Sequence, residues 1–242
     1  AGAGAYGSKA GIGAAFAYSD IENTIKSTVD NVGASASLAL KHTGNFDVKA
    51  TSDSDIIAVT GAGGIAKGSV GGSSFGVGGT LSINLISNTI ESSILNSQTH
   101  AGSTGNITVE AFDDSYFFSF AGAVGYGSTV GLGAAFALNF MDNEVRSKVV
   151  NSTLRTTGSF TAHAKEDATV VSISVGGAGS KKFAIAGGIA ANDFTNTTEA
   201  FVSGGSDITV DGATIVKAED DTLIVSIAGG LSFSSKGAVG AS

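Results

Sequence analysis

Four stretches of the chain alternate small and apolar residues and then run into an asparagine: GIGAAFAYSDIEN ending at Asn23, GVGGTLSINLISN at Asn88, GLGAAFALNFMDN at Asn143 and AIAGGIAANDFTN at Asn196. The asparagines stand 65, 55 and 53 residues apart with the same order of polar and apolar positions around each, so the chain is an internal repeat. In the first piece of the first repeat Ile12, Ala14, Phe16 and Tyr18 oppose Gly13, Ala15 and Ala17. That period of two predicts a strand whose Gly-Ala side lets another layer approach closely. A polar bend is expected at Ser19 and Asp20, and at Asn84, Asn139 and Asn192. The second piece then sets Ile21, Asn23, Ile25, Ser27 and Val29 inward, matched by Met141, Asn143, Val145, Ser147 and Val149, while Lys26, Glu91, Arg146 and Glu199 face water.

The third piece starts at Gly44, Gly105, Gly158 and Gly212 and places Val or Ala at the fourth and Ala at the sixth following position. Three residues beyond stand Asp53, Asp114, Asp167 and Asp221, read as acidic corners between strands. In the fourth piece apolar residues occupy both faces, as in Ile56 with Ile57 and Phe117 with Phe118, before giving way to Gly and Ala. Such a run predicts a strand covered on both sides, inside the array or against a neighbouring chain. Segments of differing length and chemistry, NVGASASLALKHT, NSQTHAGST, NSTLRTT and GGSDITVD, follow the second piece as variable loops and are the first candidates for contacts.

No helical periodicity competes with this pattern. The expectation is an all-β chain, a parallel β-solenoid of about four 53–65-residue repeats (9–66, 67–128, 129–180, 181–236, then the start of another), with an antiparallel meander or barrel as the alternative. Residues 1–242 form one array, and because both ends share a phase of the repeat it reads as a segment of a longer protein whose export signal, anchor and caps lie elsewhere. Strands of eight to twelve residues would span about 26 to 40 Å. Whether a repeat makes one wide turn of chain or two stays open; only one wide turn stacks the asparagines about 4.8 Å apart. Asn23, Asn88, Asn143 and Asn196 are read as structural amides that satisfy one another along the axis.

Composition narrows the function classes. There are 36 Gly, no Pro, Cys or Trp, and only 14% charged residues, while the 42% hydrophobic content excludes low-complexity disorder. The net charge of -8 argues against nucleic acid and against an anionic membrane surface, and with no run of 18 apolar residues no membrane insertion is expected. Without Cys there is no disulfide or thiolate metal site. The repeated acidic positions raise calcium, yet no spaced calcium-loop motif accompanies them, so no metal site is assigned. His42, His100 and His163 are scattered, no catalytic constellation recurs, and the Gly-rich runs lack a phosphate-loop motif. No catalytic residue and no cofactor is expected. Sequons at Asn106, Asn151 and Asn196 would matter only in a glycosylating host.

The phrase GLGAAFALNFMDNEVRSKVVNSTLRTTGSFTAHAKEDATVVSISVGGAG resembles the repeats of very large leukotoxin-type and filamentous-haemagglutinin-like adhesins of Gram-negative bacteria, exported as autotransporter or two-partner passengers. The resemblance covers essentially the whole chain. It implies an extracellular, right-handed β-helical stalk or fibre at the bacterial surface with no enzymatic residues, whose partners are its own neighbouring repeats, identical chains in a fibre or bundle, or a host or neighbour-cell surface. A self-assembling sheath subunit is the second expectation. A polysaccharide-acting β-helix enzyme is the third, and it would need charged residues clustered on a few neighbouring strands.

Overall fold

The computed structural model describes residues 1–33, 38–68 and 72–242; positions 34–37 of the first variable loop and 69–71 of a Gly-rich link lie outside the described residues. The elements are β1 (Gly2–Gly7), β2 (Ala10–Asp30), β3 (Phe46–Ala66), β4 (Phe75–Leu95), β5 (Ile107–Gly127), β6 (Val130–Met141) and β7 (Glu144–Val150). They continue with β8 (Thr153–Thr156), β9 (Phe160–Ser180), β10 (Phe183–Phe194), β11 (Thr197–Ser203), β12 (Asp207–Val210), β13 (Thr214–Ser234) and β14 (Gly237–Ala241). The chain alternates between two large sheets. One has the order β1-β3-β5-β9-β13; the other runs from β2 through β4 to β6 and β7, then β10 and β11, then β14.

All the ladders given for the described residues are parallel. This is an all-β chain of parallel sheets, consistent with a β-solenoid-like fold, and the antiparallel alternative has no ladder to rest on. The register joins repeat equivalents: Asn23 lies opposite Asn88, and Asp53, Asp114, Asp167 and Asp221 follow one another across four strands. Equivalent positions are therefore direct neighbours, one strand spacing of about 4.8 Å apart.

Strand length departs from expectation. β2, β3, β4, β5, β9 and β13 each have 21 residues, about 70 Å of extended chain, because the first and second pieces fuse and so do the third and fourth. The bend expected at Ser19, Asn84, Asn139 and Asn192 does not form. These asparagines point inward, and the Asn84 amide donates to Asn139 (2.8 Å) and the Asn139 amide to Asn192 (2.7 Å), so the ladder runs on unbroken. Where the second sheet does break, it breaks at Asp142–Asn143 and Thr195–Asn196. The acidic corners are not corners either: Asp53 sits mid-strand in β3, with its row on the outer face.

Two of the variable loops contain β8 and β12, which pair in register, and bridges Leu40–Thr99, Thr43–Thr104 and Gln98–Thr153 extend the same stacking. Their entry is fixed by Asn31, Asn96 and Asn151, with φ of 57°, 48° and 50°, and by Gly204 at 67° in the next repeat. Asparagine and glycine are the residues that tolerate this left-handed conformation, and the Asn151 amide donates to Asn96 at 2.7 Å.

The interior tapers. Near these loops it holds Val48, Ile94, Val109, Val149, Leu154 and Phe160. Further along come Ile86, Phe117, Met141 and Val170, and at the far edge small residues, alanines such as Ala121, Ala135, Ala184 and Ala186 with glycines and buried hydroxyls such as Thr80 and Ser174. There the two sheets meet backbone to backbone: a Cβ built on Gly133 would lie 2.0 Å from the Gly177 carbonyl oxygen, and one on Gly76 2.0 Å from that of Tyr126. The fourth piece is consequently covered on one side only within the chain. Its outward partners, Ile57, Val59 and Val124, are exposed.

Gly133→Ala therefore forces the sheets apart and is expected to destabilise the chain by about 3 kcal/mol. Gly79→Ala, whose Cβ would meet nothing within 4 Å, should stay within about 0.5 kcal/mol of the parent. Denaturant midpoints of the two variants check this, and equal midpoints would refute the close approach.

Candidate functional site: a buried amide and carboxylate seam

Period two places Asn23, Asn88, Asn143 and Asn196 on the inner face of the second sheet. Opposite them on the first sheet stands an inward row that sequence reasoning passed over: Ser52, Asp113, Glu166 and Asp220, in register. Each immediately precedes one of the outward aspartates. Asp113 shares the parity of Ala111, and Glu166 that of Ala164, so the signal was present in the alternation.

The asparagines do not pair amide to amide. Two of the carboxamide oxygens accept from the backbone of the preceding repeat, Asn88 N–H donating to Asn143 Oδ1 at 3.0 Å and Asn143 N–H to Asn196 Oδ1 at 3.2 Å. The nitrogens are thereby free to reach across to the other sheet. Asn23 Nδ2 donates to Ser54 Oγ (3.1 Å), Asn88 Nδ2 to Asp113 Oδ1 (3.1 Å), and Asn143 Nδ2 to both Asp113 Oδ2 and Glu166 Oε1 (2.8 Å each). Asn196 Nδ2 continues to Glu166 Oε1 at 3.4 Å, and Ser115 Oγ donates to Asp113 at 2.6 Å. The seam bolts the two sheets together where the strands of the second sheet break.

Its electrostatics follow from sealing. Asn143, Asp113 and Glu166 are fully buried and Asn88 nearly so. Burial, which disfavours a charged carboxylate, pushes Glu166 up to about 8; the Asn143 hydrogen bond opposes this, and the nearby Asp113, Asp220 and Asp167 add to it. Burial raises Asp113 as well, with the hydroxyls of Ser115 and Ser52 and the Asn88 amide holding it down. Glu166 is thus uncharged near pH 7, which suits an acid whose Oε2 has no hydrogen-bond partner. Chemically the seam can hold a proton near neutrality, at carboxyls of Asp113 and Glu166 that are sealed from solvent.

The remaining singled-out residues do not converge here. Asp53, Asp114, Asp167 and Asp221 form an outward like-charge row; burial, then Asp167, Asp53 and Asp55, raise Asp114, and Lys165 donates to Asp167 at 3.0 Å. Among the described residues no group of three His, Asp or Glu could hold a metal ion. Gly44, Gly105, Gly158 and Gly212 stack at the start of the first-sheet strands, where Gly212 N–H donates to Gly158 O at 2.9 Å and Gly105 has φ of 91°. His163 lies outward between Glu110 and Glu219, with Nε2 2.9 Å from Glu219. His42 bonds Gly44 O, and His100 Nδ1 accepts from Gly102 N–H.

Comparison with protein-family models, curated proteins and solved structures returns no match. The seam stands on its own geometry.

Two measurements follow from it. Unfolded Glu166 ionises near 4.5 and folded Glu166 near 8, so its contribution is fully present below that window and is lost as pH rises through it, by up to about 1.4 kcal/mol per pH unit. Melting temperature should fall from pH 5 to pH 8, and Glu166→Gln should flatten that slope; an unchanged slope in the variant would refute the assignment. Separately, Asn143→Leu orphans the Asn88 N–H and removes the 2.8 Å bonds to Asp113 and Glu166, and should cost about 3 kcal/mol. His163→Ala removes an outward pair and should cost below about 1 kcal/mol, compared by urea midpoints.

Proposed function

We propose that the chain is a structural, non-enzymatic segment of a secreted or cell-surface repeat adhesin or fibre, built as a right-handed β-solenoid of about four repeats with one wide turn of chain per repeat. The observation that carries this reading is the in-register stacking of repeat equivalents, from Asp53 to Asp221 and from Asn23 onward. Such a ladder extends by adding repeats and needs no ligand. The seam fits a purely structural role, since its Asp113 and Glu166 carboxyls face the interior and meet no solvent. The resemblance to large Gram-negative adhesin repeats supports an extracellular location at the bacterial surface, and the absence of cysteine is compatible with an oxidising exterior.

The geometry alters the stalk idea in one respect. A turn of 53–65 residues that rises about 4.8 Å yields breadth and stiffness far more than reach. Packing against identical chains, as in a sheath, is the second reading, favoured by the outward apolar residues beside the Gly-Ala edge.

Protease treatment of intact cells that carry the full-length protein should release fragments of this segment while cytoplasmic markers stay intact. Deleting one repeat, a loss of only about 5 Å of length, should leave the surface fibre present in negative stain. Protection from protease on intact cells, with digestion only after lysis, would contradict the surface assignment.

A further inference from the structure

The fold sorts the charges. Ten strand segments meet at the Gly-Ala edge: 2–7, 56–66, 117–127, 170–180 and 224–234 from the first sheet, and 10–18, 75–83, 130–138, 183–191 and 237–241 from the second. None contains an acidic or basic residue, and all 21 acidic residues lie outside them and outside the turns that join them. Those turns carry Lys9, Lys67, Lys181, Lys182 and Lys236, all exposed. A chain of net charge -8 therefore ends, along one edge, in a purely cationic rim.

Between rim and acidic region the slab is apolar on both outer faces. Even on strands flanked by neighbours on both sides, Val124 is 54% exposed, Phe75 48%, Tyr126 44% and Phe136 38%. The interior cannot take these side chains, because there the sheets touch through glycine and alanine. The four tyrosines mark the limits of this zone and all face outward: Tyr6 and Tyr126 beside the rim, Tyr18 and Tyr116 beside the acidic region. Tyr116 and Tyr126 are ten residues apart on one strand, roughly 33 Å, against about 30 Å for the hydrocarbon layer of a bilayer. No helix of the described residues is long and apolar enough to cross a membrane, so a lipid contact falls to strands, whose backbone groups within a ladder are already paired.

We infer that the Gly-Ala edge is a lipid-insertion edge: it seats in a bilayer with anionic headgroups, lysine rim at the far phosphates, tyrosines at the two interfaces and the acidic region in water. The expectation of no membrane partner used the net charge, which averages over a separation that only the fold creates, and the lack of an 18-residue apolar run, which bears on helices alone. Hydrocarbon covers both faces of the slab at once, whereas a second copy covers one and leaves the other in water. Aromatic residues at both limits and lysines at the rim are the pattern of an interface with headgroups. The inference stands independently of the surface-fibre reading.

Because the chain has no cysteine, single environment-sensitive probes test it directly. Val59→Cys and Phe136→Cys sit on the two outer apolar faces and Lys49→Cys on the outer face of the acidic region; each is labelled with a nitrobenzoxadiazole and diluted from mild detergent into vesicles of phosphatidylethanolamine and phosphatidylglycerol, 3:1. Emission should rise severalfold and shift to the blue at positions 59 and 136 only, and lipids with mid-chain quenchers should reverse it. Changing the five rim lysines to glutamate should cut co-flotation with these vesicles by about tenfold or more, with far-UV circular dichroism unchanged. No flotation, an equal response at position 49, or a blue shift that follows protein concentration without vesicles would overturn the inference, the last outcome assigning the faces to a second copy.

Discussion

The interaction on which everything else depends is the in-register parallel hydrogen-bond ladder between repeats. It places each side chain about 4.8 Å from its own equivalent, so every inward position must be a residue that tolerates a copy of itself above and below. Apolar rows such as Val48, Val109 and Ala162 meet this condition at no cost. Polar rows need a device, and three are visible. Asn84, Asn139 and Asn192 donate one to the next. Asn143 and Asn196 accept backbone bonds along the axis, and Asn88 and Asn143 donate across to the other sheet. Glu166, stacked on Asp113, escapes like-charge repulsion by keeping its proton near pH 7. The outward aspartate row has no such device and sits at the surface, where solvent screens it.

The same ladder explains the tapered cross-section. Branched and aromatic rows hold the sheets apart near the loops, and glycine and alanine rows bring them together at the opposite edge. The seam ties the sheets together within the wide part, between the Ile90 and Ile86 layers. Closing the thin edge with Gly and Ala means that any large apolar residue there must face outward, so the exposed faces are a consequence of the core and not a separate decoration. What those faces meet decides whether the architecture serves as a wall, a bundle or an edge held in lipid.

Much of this was legible in the sequence. Alternation gave strand identity, and the inward parity of Ile21, Asn23 and Ile25 on β2 follows directly from it. Recurrence of the same phrase implied that equivalent positions would stack. Strand length was not legible, because Asn84, Asn139 and Asn192 carry turn chemistry by type while their side chains serve an internal ladder that only neighbouring repeats supply. Asp113 and Glu166 were hidden beside Asp114 and Asp167: adjacent acids read as one polar corner until strand pairing shows them on opposite faces. The residues Asn31, Asn96 and Asn151 recur at the spacings of the seam asparagines, 65 and 55 residues, yet a left-handed turn leaves no mark in composition. The charge separation was the least accessible, since it arises when ten distant segments are brought to one edge.

The most direct test of the central claim, that each repeat is a single wide turn stacked in register, is the rise per repeat in cryo-electron micrographs of the native full-length protein. The account requires about 4.8 Å for every 53–65 residues and a cross-section roughly 70 Å broad that narrows toward one edge. A rise near twice that value, or a cross-section half as broad, would mean two turns per repeat, and the asparagine seam, the stacked carboxyls and the uncharged edge would all lose their geometric basis.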